Sequence, residues 1–548
     1  MVDELSAYYE DLLDGSYDCV DRIVLNAYNT LCYSPGGFRE WWRRLMGGAE
    51  DTLDNAHLMR MAGRVSRRVR AYAKAHAIPV IDCTRGERKH EIAEEYLSTH
   101  PTVQGLFLIL VSRAIAPVWE VERSSAGQIR NIRSKKPYVN HYSFHILDPD
   151  WGHLTIKMSG HPPFGAQIIL NGHEYVAAQA CKAGLGFTKE GNCFTHLSSS
   201  TELVQVADTL SEERAIGRLT QVCDRWIYTA CLHFALDADE QERSGFHYAY
   251  SVYQVEYSRN LLFQAGGHME QVFQGLIDRT RARLTVRALK TIFGAKRRPF
   301  RHKVAPAPRL AVVLERPVYD LTVFKLHFDA LTLKAYTKGE RVLRFEAIVH
   351  NTKALGCGRV VAKFPQIVAR LRAMVTEFLT TLHAVDHVFV SDETLEQLPL
   401  PSVLGQTRVG GVDLNKPRMR TLLAAVLTLA PAPQGFRVAD VAAQIQAMTG
   451  PTAPPYTARH AAYDLKKLRA KHLLEAVPSS RRYRVPPTGL RTIAALVVLR
   501  EQVIKPILAG TAKPKMGRKP KNWSPIDVHY ETLRKDMQIL FEDLGLAA

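Results

Sequence analysis

Through the first 120 residues, short apolar runs alternate with segments whose apolar positions recur at helical spacing. Arg60–His76 has that spacing, with a heavily basic opposite face, and Glu87–Ser98 repeats it. Ile78–Cys83 and Gly105–Val111 are continuous apolar runs of strand length, so the pattern predicts a parallel or mixed sheet covered by helices. Asp82 closes the first strand, at the end where open α/β sheets place ligand-binding groups and where a loop cap also belongs.

From Tyr138 to Met158 the pattern changes to strict alternation around Asp148-Pro149-Asp150-Trp151-Gly152, which predicts a β-hairpin. After Gln167–Leu170, Asn171-Gly-His-Glu174 has the spacing of a capping box and opens a helix to about Lys182, with Gly184 just past its end. Residues 201–295 read as mainly helical, Gln271–Phe293 most clearly. Lys296–Arg309 combines six basic residues with three prolines, a composition that resists helix and sheet and reads as a basic linker. Thr322–His350 reads as strands around Lys338-Gly339, and Ala362–His383 as a helix. A Pro-rich stretch, Leu398–Pro417, precedes the C-terminal part.

Residues 418–508 carry the strongest pattern: helix (Arg418–Leu429), shorter helix (from Phe436), Gly/Pro-rich turn (Thr449–Tyr456), then a helix Ala458–His472 capped by Thr457. Pro478–Val485 follows as a small basic β-wing, and Gly489–Leu508 as a closing helix. With the wording YTARHAAYDLKKLRAKHLLEAVPSSRRYRV, this stretch resembles the winged-helix DNA-binding domains of MarR- and PadR-type regulators. The resemblance covers about 90 residues and implies that the helix before the wing enters the major groove while the wing touches flanking backbone. By position it assigns nucleic-acid contacts to Thr457, Arg459, His460, Tyr463, Lys466, Lys467, Arg469 and Lys471, and, on the wing, to Arg481, Arg482 and Arg484. Leu465 and Leu468 supply the buried side. Winged helices also serve as protein-contact modules.

Further on, Lys513–Lys521 resembles an AT-hook, with Lys515, Arg518, Lys519 and Lys521 as its basic positions. It departs from that motif by an inserted lysine and a missing first arginine, and a flexible basic tether is the alternative. The fold class expected is mixed α/β and multidomain. The divisions are an α/β domain with a His-rich hairpin (1–200), a helical region (201–295), the linker (296–309), an α+β region (310–400), the winged helix (401–510) and a basic tail with a terminal helix (511–548).

Charge sharpens this division. The net charge is +18, and +13 of it falls in residues 401–548, whereas residues 1–100 sum to −3. A basic domain on a near-neutral body points to a polyanionic partner, DNA before RNA. No apolar run reaches the roughly 20 residues of a membrane span, and the acidic start lacks a secretory pattern. A bacterial cytoplasmic protein, nucleoid-associated when bound, is expected. The eight cysteines form no C-x-x-C and read as buried free thiols.

The hairpin holds the other candidate chemistry. His141, His145 and His153 share a face, with Asp148 and Asp150 at the tip, a donor set that suits a divalent metal and metal-assisted phosphodiester hydrolysis. Polar aromatics on an exposed hairpin and aspartates in a turn occur equally without any metal, so the expected cofactor is none, with a divalent ion as the alternative.

KAYTKGERVLRFE resembles the Tyr-x-Lys-Gly…Arg-x-Glu stretch of rolling-circle replication initiators, which implies a nucleophilic Tyr336. Those enzymes also carry a His-apolar-His motif, and no His-x-His occurs here. Lys334, Lys338 and Arg344 are then candidates for a phosphate-contacting surface. P-loop, dinucleotide-fold, nucleophile-elbow and zincin motifs are absent from the sequence. The segments DPDWGHLTIK, ILNGHEYVAAQ…GNCF and LKAYTKGERVLRFEAIVHNTK resemble a group of bacterial proteins from multi-copy, mobile-element-like loci. The expected function is therefore nucleic-acid binding through the C-terminal winged helix in mobile-element biology. A metal-dependent nuclease or transposase-like enzyme targeted by that domain, and an RNA-binding partner of a structured RNA, are the alternatives.

Overall fold

The computed structural model describes residues 3–84, 86–283, 311–318, 321–328, 330–386, 392–450, 454–500 and scattered positions between 525 and 539. The protein is mixed α/β and divides into two compact units, one of residues 11–269 with 329–375 and the other of 1–10, 270–328 and 376–548. The basic linker at 296–309 and the AT-hook-like Lys515, Arg518, Lys519 and Lys521 lie outside the described residues.

The first unit is built on one sheet. Its strands are β1 (Leu13–Tyr28), β2 (Val80–Asp82), β3 (Gly105–Ile115), β4 (Tyr138–Asp148), β5 (Gly152–Ser159), β6 (Ala166–Asn171), β7 (Ala249–Phe263), β8 (Leu331–Lys338) and β9 (Val342–Val349). They lie in the order β8-β9-β7-β1-β6-β5-β4-β3-β2. Only the β2–β3 pair is parallel among the registers described; the others are antiparallel. The sheet therefore draws β1 to β6 from residues 1–200, β7 from the stretch expected to be helical, and β8 and β9 from 310–400. Those three expected domains share one sheet. The strand β7 escaped the pattern because it is central: Tyr257–Phe263 is buried without a break, so no alternation marks it.

The helices α1 (Asn55–Ala75), α2 (Lys89–Thr99), α3 (Gly172–Lys182) and α4 (Arg214–Ala230) belong to this unit. One sheet face is dry. Phe144, Ile146, Ile156, Met158, Ile168 and Leu170 are all buried there, Phe234 stacks on Phe144, and Tyr72 of α1 packs on Phe234. The opposite face carries Ser143, His145, Thr155, Lys157, Gln167 and Asn171 on its middle strands, with Leu108 and Leu110 of β3 packed against Ala93 of α2.

A β-bulge in β1 organises that polar face. Val20 pairs with Tyr257 and Ile23 with Val255, so Asp21 and Arg22 together oppose Glu256. Asp21 turns into the protein at 1% exposure, while Arg22 remains exposed. Gly172 makes room beside the bulge, since a Cβ there would stand 1.9 Å from the Val20 carbonyl oxygen. This close approach lets α3 begin against β1 and brings His173 Nδ1 within 2.5 Å of Asp21 Oδ1. Arg344 of β9, fully buried, faces Asp21 at 3.6 Å, donates through Nε to Asn260 Oδ1 at 2.6 Å and through Nη2 to the Asn192 carbonyl.

The second unit contains α5 from Thr376 onward (the helix is Phe364–Asp386), β10 (Ser402–Leu404), β11 (Thr407–Val409), α6 (Pro417–Leu429), α7 (Val438–Thr449), α8 (Ala458–Ala470), β12 (Glu475–Ala476), β13 (Tyr483–Arg484) and α9 (Pro487–Val498). Leu422, Val426, Val441, Ile445, Leu465, Leu468 and Ile493 form its core. Tyr483 exchanges backbone hydrogen bonds with Phe436 (2.9 and 2.8 Å), tying the β12–β13 hairpin to the entrance of α7.

Removing Arg344 strands the buried Asp21 carboxylate. Arg344→Met should therefore lower stability by about 3–5 kcal/mol, and adding Asp21→Asn should recover part of the loss. Chemical denaturation of the three proteins checks this.

Candidate nucleic-acid interface

Helix α8 is sorted cleanly by its 3.6-residue repeat. Ala461, Asp464, Leu465 and Leu468 are buried. Arg459, Tyr463, Lys466 and Lys467 occupy the opposite stripe, with Arg459 exposed and Tyr463 53% exposed. Asp464 on the buried side is held by Arg418 (2.7 Å) and the Tyr456 hydroxyl (2.8 Å). The positions predicted from sequence separate into two groups. Thr457 accepts from the His460 amide and His460 Nδ1 faces the Thr457 amide, so both build the helix cap. Lys471 donates to the Gln397 carbonyl at 2.5 Å, Arg482 to the Gly435 carbonyl at 2.9 Å, and Arg484 pairs with Glu475 at 3.1 Å. Arg469 lies 5.9 Å from the Tyr483 ring and Lys467 4.9 Å from the Tyr463 ring. Arg459, Lys466 and Arg481 have no hydrogen bond or ion pair among the described residues.

Two hairpins flank the stripe. The Arg469–Tyr483 contact sets β12–β13 along one edge of α8. Along the other edge, the backbone after β10–β11 approaches Tyr463 and Lys467 at Gly410. Nothing in the Pro-rich sequence of 398–417 marked this second hairpin, which turns at Gly405 with φ +61° and exposes Arg408.

On the hairpin of the first unit, the histidines and aspartates part company. His145 Nδ1 and His153 Nε2 meet at 3.0 Å, but Asp148 is buried elsewhere. It accepts from Arg225 (2.9 Å), Trp226 (2.7 Å) and the amides of Asp150 and Trp151. Asp150 pairs with Lys182 beside a small cleft lined by Arg218 and Arg225. Among the described residues no three His, Cys, Asp or Glu side chains are placed to hold a metal ion. His141 bonds only to the Val139 carbonyl (3.3 Å). The strand-end Asp82 pairs with Arg70 at 2.9 Å.

Further along the polar face the expected phosphate-contacting trio is also divided. Arg344 is consumed by the buried network, Lys334 pairs with Glu346 at 2.7 Å, and Lys338 stays half-buried with no ion pair among the described residues. Tyr336 is a half-buried strand tyrosine opposite Arg344, and burial raises its hydroxyl pKa. Beside Glu346, burial and the neighbouring carboxylates Glu346 and Asp21 push Glu256 up to about 7. Lys157 and Lys89 are drawn down by burial, and Lys157 further by Lys89 and Arg22. This cationic stretch was not singled out from sequence, because its members come from β1, β5 and α2, far apart in the chain.

No protein-family model matches the chain, and no curated protein matches it. Among solved structures, it is similar to a rolling circle replication initiator protein from Geobacillus stearothermophilus at 10% identity and a TM-score of 0.20, over 68% of this chain and 83% of that one. A likeness of that size transfers neither fold nor activity. Among the described residues no helix is long and apolar enough to cross a membrane.

The paired histidines give a pH signature. Burial holds His145 down to about 3 and His153 down to about 4, from an ordinary value of 6.5. Between those values and 6.5 the unfolded chain binds more protons, so this contribution to stability is lost as pH falls. The stability lead of the wild type over His145→Gln should shrink by up to about 1.4 kcal/mol per pH unit as pH falls below 6.5. Denaturation at stepped pH measures it, and a constant lead would mean that His145 is charged in the fold.

Proposed function

We propose that the protein binds duplex DNA through its C-terminal unit in the manner of a winged helix, with α8 in the major groove and the β12–β13 hairpin on the flanking backbone. One observation carries the reading: the side of α8 opposite the core bears Arg459, Tyr463, Lys466 and Lys467, with Arg459 and Lys466 unpaired among the described residues. The concentration of positive charge in residues 401–548 agrees. Arg459 is the base-reading candidate, since its planar fork matches the acceptor edge of guanine. Arg481 suits sugar-phosphate, and Arg408 on the second hairpin offers the same contact from the other edge. Arg482 and Arg484 drop from the contact set because their guanidinium groups already serve the hairpin. Association with mobile elements remains part of this reading on the sequence resemblance.

Arg459→Ala should cost about 1–3 kcal/mol on preferred sequences and relax preference at one base position. Arg481→Ala should weaken all sequences alike and lower the salt slope by about 0.9, one counterion contact. Binding of the full chain to a randomised duplex library at several salt concentrations tests both. If neither variant changes duplex binding, the reading fails.

A further inference from the structure

The polar face of the first unit's sheet carries a second feature of the same chemistry, independent of α8. On neighbouring strands, Ser143 of β4 stands opposite Lys157 of β5, Lys157 opposite Gln167 of β6, and Asn171 of β6 opposite Arg22 of β1. From above β4, Lys89 at the start of α2 reaches Ser143 Oγ at 3.4 Å and also bonds Ser112 Oγ. Lys89, Lys157 and Arg22 thus form a cationic track running across β4, β5, β6 and β1. Neighbouring strands lie about 4.8 Å apart, and along β6 the track shifts from residue 167, opposite Lys157, to residue 171, opposite Arg22, so it crosses the sheet diagonally over about 20 Å.

Cations on a half-buried sheet ordinarily sit beside carboxylates, because burying charge is costly unless it is paired. Here no carboxylate lies within ion-pair distance of any of the three among the described residues. Burial lowers the Lys157 pKa, and the like charges of Lys89 and Arg22 lower it further. A separate orphan adjoins it: His145 is 2% exposed, and its Nε2 is buried with no partner. Lys89, Lys157 and Arg22, none of them matched by a carboxylate, make a surface complementary to an anion with many oxygens, and the buried His145 lies beneath it.

We infer that this face is a binding track for the backbone of single-stranded nucleic acid, with Lys89, Lys157 and Arg22 each meeting a phosphate along its path. The depth of the lysines selects the strand state. Lys89 and Lys157 are half-buried, so a phosphate reaches them only on a chain narrow enough to lie on the sheet, and a duplex is too wide to engage the track. Grooves that bind single strands use cations in this way to follow the backbone.

The test is fluorescence anisotropy of the full chain with a labelled 20-nucleotide oligothymidylate at low salt, beside a labelled 30-base-pair duplex. Arg22→Glu and Lys157→Glu should each weaken oligothymidylate binding roughly tenfold or more and lower its salt slope. Duplex binding should stay unchanged, and Arg459→Ala should do the reverse. Arg22 is exposed, so Arg22→Glu remains informative if Lys157→Glu fails to fold. If charge reversal at Arg22 leaves oligothymidylate affinity unchanged, or Arg459→Ala abolishes binding of both probes, the track is overturned. If the sheet variants lose the oligothymidylate while Arg459→Ala and Arg481→Ala leave the duplex untouched, the track stands and the winged-helix reading falls.

Discussion

A single buried guanidinium sets the terms for the first unit. Arg344 is fully enclosed, and a charge so placed must be met on every side or the fold loses several kcal/mol. Its partners come from four other places in the chain: Asp21 on β1, Asn260 on β7, the Asn192 carbonyl and His173 at the start of α3. Two local devices make that convergence possible. The bulge at Asp21–Arg22 turns a carboxylate inward, and the missing side chain at Gly172 lets the helix begin against the Val20 carbonyl. The same bulge turns Arg22 outward, so the candidate strand-binding surface is a by-product of the way the core charge is satisfied.

Sequence pattern succeeded where one face of an element is wet. The hairpin Tyr138–Met158 alternates because β4 and β5 have a dry face and a polar one, and its tip carries turn residues; the observed strands run Tyr138–Asp148 and Gly152–Ser159. The Asn171 cap and the helix to Lys182 were legible for the same reason, although Glu174 bonds Lys189 rather than reaching back to the cap. Strands β1 and β7 were not legible. Both lie at the centre of the sheet, and their polar residues, Asp18, Asp21, Arg259 and Asn260 among them, are spent on partners inside the protein. To a reader of periodicity these positions look like surface, so a central strand reads as loop or helix.

The candidate site shows a related limit. Composition counts cations, but function depends on which are uncommitted. In the C-terminal unit Arg482, Arg484, Lys471 and Arg418 are as basic as Arg459 and Arg481, yet each already serves a carbonyl or carboxylate of the fold. The sequence signal that separates Arg459 from its neighbours is the helical offset from Ala461, Leu465 and Leu468, and that offset was readable. The hairpins' internal bonds were not, because they depend on Gly435, Gln397 and Glu475 meeting residues some distance along the chain.

In the two proposed readings, shape divides the labour between the cationic surfaces. On α8 the cations stand out on a convex helix with a hairpin on either edge, and a projecting helix suits a groove. On the sheet Lys157 lies half-buried on the pleated face, Lys89 reaches down half-buried from the start of α2, and Arg22 stands exposed at the far end. Each surface is attractive to phosphate, so charge alone cannot distinguish their ligands. The steric depth of the cation does. A protruding guanidinium reaches into a duplex, whereas a half-buried ammonium waits for a chain that can come down to it, and only a strand released from its partner has both the reach and the exposed backbone to do so.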